Sequence, residues 1–97
     1  MEKELRIMSV VPEVFKHTEG FLNPKFLNKD DILQDIAINI SLIKGLDEDT
    51  RIGMFVAASK TLDLIQKTPF VNEKDAIKYI IGELPSIIQT IESNNEK

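Results

Sequence analysis

Residues 72–91 read NEKDAIKYIIGELPSIIQTI, and this stretch decides the fold class. Its apolar residues recur at three- and four-residue spacing, which places them along one stripe of an α-helix. Asn72 can cap the helix, and the acidic residues after it suit the positive end of the helix dipole. The stripe consists of Ile77, Ile80, Ile81, Leu84, Ile87, Ile88 and Ile91. The pattern predicts that this last helix is the main core element, with Ile80, Leu84 and Ile87 buried.

Two features modify the end of this helix. Pro85 has no amide hydrogen, so it removes one backbone hydrogen bond and predicts a kink in the helix. Residues 93–97 read SNNEK, lack apolar periodicity, and are expected to form a frayed tail.

A second helix is predicted over residues 48–67. Asp47 or Asp49 can cap its start, and the sequence Thr68-Pro69 ends it, because the residue before a proline avoids helical backbone angles. The apolar face of this helix is formed by Met54, Phe55, Ala58, Leu62 and Ile65.

Residues 29–44 are open to two interpretations. Asn28 as a cap and Gly45 after the last turn indicate a helix. Residues 36–43 nevertheless alternate between apolar and polar side chains, which is typical of a strand. The terminus signals agree with one another, so the helix is the preferred interpretation.

The N-terminal residues carry the same ambiguity. Residues 5–11 suit either a helix or a short strand, and Pro12 suits the first turn of a new helix. The whole sequence, residues 1–97, is predicted to be one all-α domain, a compact bundle of four to five helices. The alternative is an α+β fold with a small sheet from residues 5–11 and 36–43.

Composition argues against several classes of function. The 97 residues carry a net charge of −4, and a domain without a basic stripe is a poor candidate for binding nucleic acid. The absence of cysteine, of a secretory leader and of a long apolar run predicts a cytoplasmic protein without a membrane span. Frequent Ile, Lys and Asn suggest an AT-rich genome, as in a low-GC bacterium, its phage or its plasmid.

No group of residues predicts catalysis, a cofactor or a metal site. His17 is the only histidine, so it has no second imidazole with which to bind a metal. Asp31 and Asp35 share a helix face, but they are best explained as solvated charges. The acidic run 47–49 lacks the later glycine and glutamate of a calcium loop.

Four apolar residues lie outside the predicted core stripes. Ile38 and Leu42 in one helix, and Ile52 and Val56 in the next, are spaced i, i+4 and flank the same short connection. A helix that is apolar on more than one face is covered on more than one face. The four residues are predicted to form a protein interface, most simply a twofold homodimer. The alternative is that the N-terminal segment with Phe21 and Phe26 covers them.

These observations favour a small non-catalytic interaction or regulatory protein of bacterial, phage or plasmid origin. An adaptor, an immunity protein or an antitoxin-like partner would share its size, acidity and helical content. One alternative is a helical module that binds an apolar ligand or lipid between the Ile-rich helices. A nucleic-acid-binding regulator would require five basic residues to converge in space: Lys3, Arg6, Lys16, Lys25 and Lys29.

Overall fold

The terminus signals and the apolar periodicity together identify the three long helices correctly. In the computed structural model, which describes residues 2–18 and 28–95, those residues contain five α-helices and no strand. The helices are α1 (Glu2–Met8), α2 (Val10–Thr18), α3 (Lys29–Ser41), α4 (Glu48–Lys67) and α5 (Glu73–Asn95). The all-α prediction is confirmed, and the alternative sheet is wrong because residues 5–11 and 36–43 form no strand.

The three long helices begin at the predicted caps. The side-chain oxygens of Asn28, Asp47 and Asn72 each accept a hydrogen bond from the backbone N–H three residues later, at 3.2, 2.8 and 2.8 Å. Each bond satisfies an amide that has no partner inside the helix. Helix α3 ends at Ser41, three residues earlier than predicted, and the connection to α4 passes through Gly45 at a φ of 84°. The left-handed backbone there suits glycine, which lacks the clashing Cβ.

Helices α1 and α2 are separated at Ser9. Pro12, in the first turn of α2 as predicted, has no N–H to donate to the carbonyl of Met8, and its ring would clash there in a continuous helix. The chain ends α1 instead, where the Ser9 amide donates to the carbonyls of Leu5 and Arg6 at 3.0 and 3.2 Å.

Helix α5 contributes to the core, but the main core element is α4, which packs against all four other helices, and not α5 as predicted. Two residues of α5 also depart from the prediction. Ile80 and Ile87 are fully buried, and Ile91 is 1% exposed. Leu84 is only half-buried, so the prediction that it is essentially buried is wrong. Ile81 is 53% exposed, so it lies at the edge of the stripe and not in the core.

The C-terminal part of α5 is longer than expected. The helix is continuous through Pro85 and reaches Asn95, so residues 93–95, assigned to the tail, are helical. Residues 96–97 lie outside the described part, as do Phe21 and Phe26 of the predicted covering segment. The kink at Pro85 and the fraying of the helix end stay predictions.

Helix α4 lies at the centre of the bundle and packs against each of the other four helices. Met54, Ala58, Leu62 and Ile65 are buried as predicted, whereas Phe55 is 42% exposed and is not a core residue. The buried hydroxyl of Thr61 donates to the carbonyl of Ala57 at 2.7 Å, so this polar group inside the core has a partner.

Helices α1 and α5 both approach α4 closely at Gly53. A Cβ at this position would lie 2.6 Å from Cδ1 of Ile7 in α1 and 2.9 Å from Cδ1 of Ile91 in α5. Both isoleucines are buried, so neither can move into solvent to make room. The missing side chain therefore allows α1 and α5 to pack onto the same turn of α4.

The two helical glycines should respond oppositely to alanine. Gly53→Ala should lower the free energy of unfolding by about 1–2 kcal/mol, because overpacking outweighs the gain in helix propensity. Gly82→Ala should raise it by about 0.5–1 kcal/mol, because a Cβ there meets nothing within 4 Å and the unfolded chain loses freedom. Urea unfolding followed by circular dichroism measures both. A Gly53→Ala protein as stable as the wild type would refute the close packing.

Candidate interaction surface

Exposed apolar side chains concentrate around the α3–α4 connection. Among the described residues, eight large hydrophobic side chains are exposed: Leu5, Ile38, Leu42, Ile43, Phe55, Phe70, Tyr79 and Ile81. Four of the eight lie between residues 38 and 55, on the C-terminal half of α3, the connection and the N-terminal half of α4. This surface is called the α3–α4 face below.

The structure divides the four predicted interface residues into two pairs. Ile38 on α3 and Leu42, the residue after its end, are 51% and 73% exposed. Ile52 and Val56 are half-buried, and both pack against the core cluster. All four residues were expected to lie outside the core. Ile38 and Leu42 do so, whereas Ile52 and Val56 pack partly against it. That the four act together as an interface stays a prediction.

A shallow apolar groove runs along the seam between the two helices. Its volume is about 250 Å³, it opens to the surface, and both helices contribute to its walls. The lining residues are Ala37, Ile40 and Ser41 from α3 and Arg51, Ile52 and Phe55 from α4. The groove connects the predicted residue Ile52 with two residues that the sequence analysis did not assign to a site, Phe55 and Arg51. The sequence could have indicated Phe55, because residues three apart, such as 52 and 55, are neighbours on a helix surface.

Arg51 is the one charged side chain among the described residues that line the groove. Its Nε is buried and has no hydrogen-bond partner, and no carboxylate in the described ranges forms an ion pair with it. A buried N–H without an acceptor costs about 1–3 kcal/mol, more when the group is charged.

The start of α4 beside the groove is held by Asp47. The Thr50 hydroxyl and the Thr50 backbone N–H donate to the Asp47 carboxylate, and these bonds lower its pKa below the usual value. Thr50 itself is buried. Asp47 therefore fixes the first turn of α4, and with it the backbone from which Arg51 projects.

Lys3 and Lys29 lie beside different ends of α4, since Lys3 pairs with Asp49 and Lys29 with Asp63. Lys3 and Arg6 line a second open depression of about 300 Å³ near the start of α4. Lys29 instead forms an ion pair with Asp63 in α4. Lys25 lies outside the described residues. The convergence that a nucleic-acid-binding function would require is not seen in residues 2–18 and 28–95.

The positions considered for chemistry show ordinary surface contacts. Nε2 of His17 lies 3.7 Å from Oε1 of Glu13, one helical turn away. In the described part of the chain, no three His, Cys, Asp or Glu side chains are grouped so that they could hold a metal ion. None of the helices described is both long and apolar enough to cross a membrane.

Comparison with known proteins adds no assignment. The sequence matches no protein-family model, and comparison with curated proteins and with solved structures gives no match. The functional argument therefore rests on the surface just described.

Acid should weaken the contribution of Asp47 to stability. Because the folded-state pKa is lowered, this contribution is present above the ordinary pKa and is lost as the pH falls below about 4. Asp47→Asn keeps a cap acceptor but cannot ionise, so it should be less stable than the wild type at pH 6, and the gap should be smaller at about pH 3. Urea unfolding at both pH values measures the gap. An equal gap at both would show that the ionised cap does not stabilise α4.

Proposed function

We propose that this chain is a non-catalytic protein–protein interaction module, an adaptor or regulator of bacterial, phage or plasmid origin. It binds its partner through the α3–α4 face. The observation that carries the proposal is the concentration of exposed apolar side chains on α3, the connection and α4, the two helices that also form an apolar groove. Large apolar side chains on a surface are costly to leave in water, and contiguous ones mark interaction sites.

The composition of the face fits a protein partner. The most deeply buried parts of protein interfaces are apolar and aromatic, with arginine the charged residue that is enriched there. Phe55, Ile38 and Leu42 supply the apolar area, and Arg51 supplies a guanidinium that lacks an ion-pair partner within the described chain. An immunity-like or antitoxin-like role would use such a face through surface complementarity alone, without a catalytic step.

The groove fits a protein side chain better than a small ligand. Sites for small molecules enclose about 300–1,000 Å³ and cover most of the ligand surface. The groove here is smaller, at about 250 Å³, and open along one side. An apolar side chain from a partner helix would fill it without being enclosed.

A matched pair of leucines tests this proposal. Leu42 on the α3–α4 face is 73% exposed, and Leu5 on α1 is 71% exposed. A photo-crosslinking amino acid at position 42 should give a discrete protein adduct in the organism that encodes the chain, whether the adduct contains another protein or a second copy. The same amino acid at position 5 should give at most a weak background. Gel electrophoresis with mass spectrometry identifies the products.

Equal exposure makes the comparison specific, because simple accessibility predicts equal adducts from both positions. Equal yields, or no adduct from position 42, would contradict the proposal. Thermal melting of both substituted proteins confirms that each is folded. Since both side chains point into solvent, neither substitution should lower the melting temperature appreciably.

A further inference from the structure

The outer side of α3 carries a stripe that the bundle does not use. Its members are spaced by four, three and four residues, which places them on one side of the helix: Asp31, Asp35, Ile38 and Leu42. All four are exposed, and the residues of α3 that pack into the core lie on the opposite side: Ile32, Leu33, Ile36 and Ile40. Leu42 follows the last residue of α3, but its backbone is still helical and its N–H donates to the Ile38 carbonyl at 3.2 Å. The spacing of this outer stripe is that of residues that contact a second helix.

The outer stripe is acidic in its first half and apolar in its second. Asp31 lies in the first turn of α3, where the helix dipole favours a carboxylate. Asp35 lies one turn further on, so neither the cap nor the dipole accounts for it. Neither carboxylate forms an ion pair with another described residue. Lys29, the one cation of α3, pairs with Asp63 of α4 instead, so the negative charge of the outer stripe is not offset.

Three kinds of occupant fit the outer stripe poorly. Nucleic acids and anionic lipid surfaces are negatively charged, so the two carboxylates repel both. A second copy of the chain brings the same stripe, and a parallel α3 would place carboxylate beside carboxylate. An antiparallel α3 about a twofold axis would place each carboxylate against Ile38 or Leu42, away from water and without a partner. The outer stripe is therefore not complementary to itself.

We propose that the outer stripe binds a basic amphipathic helix of a different protein, packed lengthwise along α3. Apolar side chains of that helix cover Ile38 and Leu42, and Lys or Arg side chains further along it pair with Asp35 and Asp31. Removal of the apolar side chains from water supplies affinity, and the ion pairs select the direction and register of the partner helix. The inference rests on the proposed function, because it names the chemistry of the partner that the α3 side of the same face binds.

Two designed peptides test this chemistry on the full chain. Both are about 21 residues long, enough for an isolated helix, with leucine at the a and d positions of each heptad. One peptide has lysine at the flanking positions, and the other has glutamate there. Fluorescence anisotropy of the labelled lysine peptide should show saturable binding to the wild-type chain that weakens with added salt. The glutamate peptide should bind at least about tenfold more weakly, because its charges repel those of the outer stripe.

Two matched pairs of variants locate the binding. Asp35→Lys should weaken binding of the lysine peptide about tenfold and strengthen binding of the glutamate peptide, a gain that an unfolded variant would not show. Glu92→Lys makes the same change in net charge at an exposed, unpaired position of α5, and should alter either affinity less than about twofold. Leu42→Ser should weaken binding of the lysine peptide about tenfold through lost apolar contact, whereas Leu5→Ser, at a similarly exposed position, should not.

Three results would overturn the inference: no saturable binding of the lysine peptide, equal losses from Asp35→Lys and Glu92→Lys, or equal losses from Leu42→Ser and Leu5→Ser. The crosslink from position 42 separates this failure from that of the proposed function. Sequencing of the crosslinked segment should find Lys or Arg among its apolar residues. An adduct to a segment without basic residues, or to a second copy, would refute the inference and leave the proposed function intact. The absence of any adduct would refute the proposed function, and the inference with it.

Discussion

The packing of every other helix against α4 is the constraint on which this structure depends. Helix α4 contacts four neighbours, and its small buried residues Gly53, Ala57 and Ala58 leave room for their side chains. At Gly53, side chains from α1 and α5 meet over the same turn, closer than a Cβ would allow. The small residues of α4 thus determine how near the larger isoleucines of the outer helices can come, and the core is built from those isoleucines.

A central α4 also determines which surfaces are left for function. Helix α3 gives its inner side to α4 and α2, so its outer stripe of Asp31, Asp35, Ile38 and Leu42 faces solvent. The seam between α3 and α4 is covered on the inside by the core and open on the outside, which creates the apolar groove. The proposed interaction surface is therefore a consequence of the packing order, with the caps at Asn28 and Asp47 fixing where the two helices begin.

The sequence predicted those features that depend on local chemistry. Caps, the proline stop after α4 and the apolar stripes located three helices, since each signal acts within a few residues. The errors concern burial. Phe55, Leu84 and Ile81 have the spacing of core residues, yet they are partly or largely exposed. Their burial depends on the angles at which neighbouring helices pack, and the sequence of one helix does not determine those angles. For the same reason the sequence pointed to Ile38 and Leu42 but not to Arg51, whose place in the groove depends on how α3 lies beside α4.

Hydrogen exchange of the α4 amides tests the central role of this helix most directly. If all other helices depend on α4, the amides of residues 57–62 can exchange only when the whole domain unfolds. The free energy of opening derived from their exchange rates should then equal the free energy of unfolding from urea denaturation, with the other helices no more protected. Opening of residues 57–62 at a clearly lower free energy, while α5 stays protected, would contradict this account.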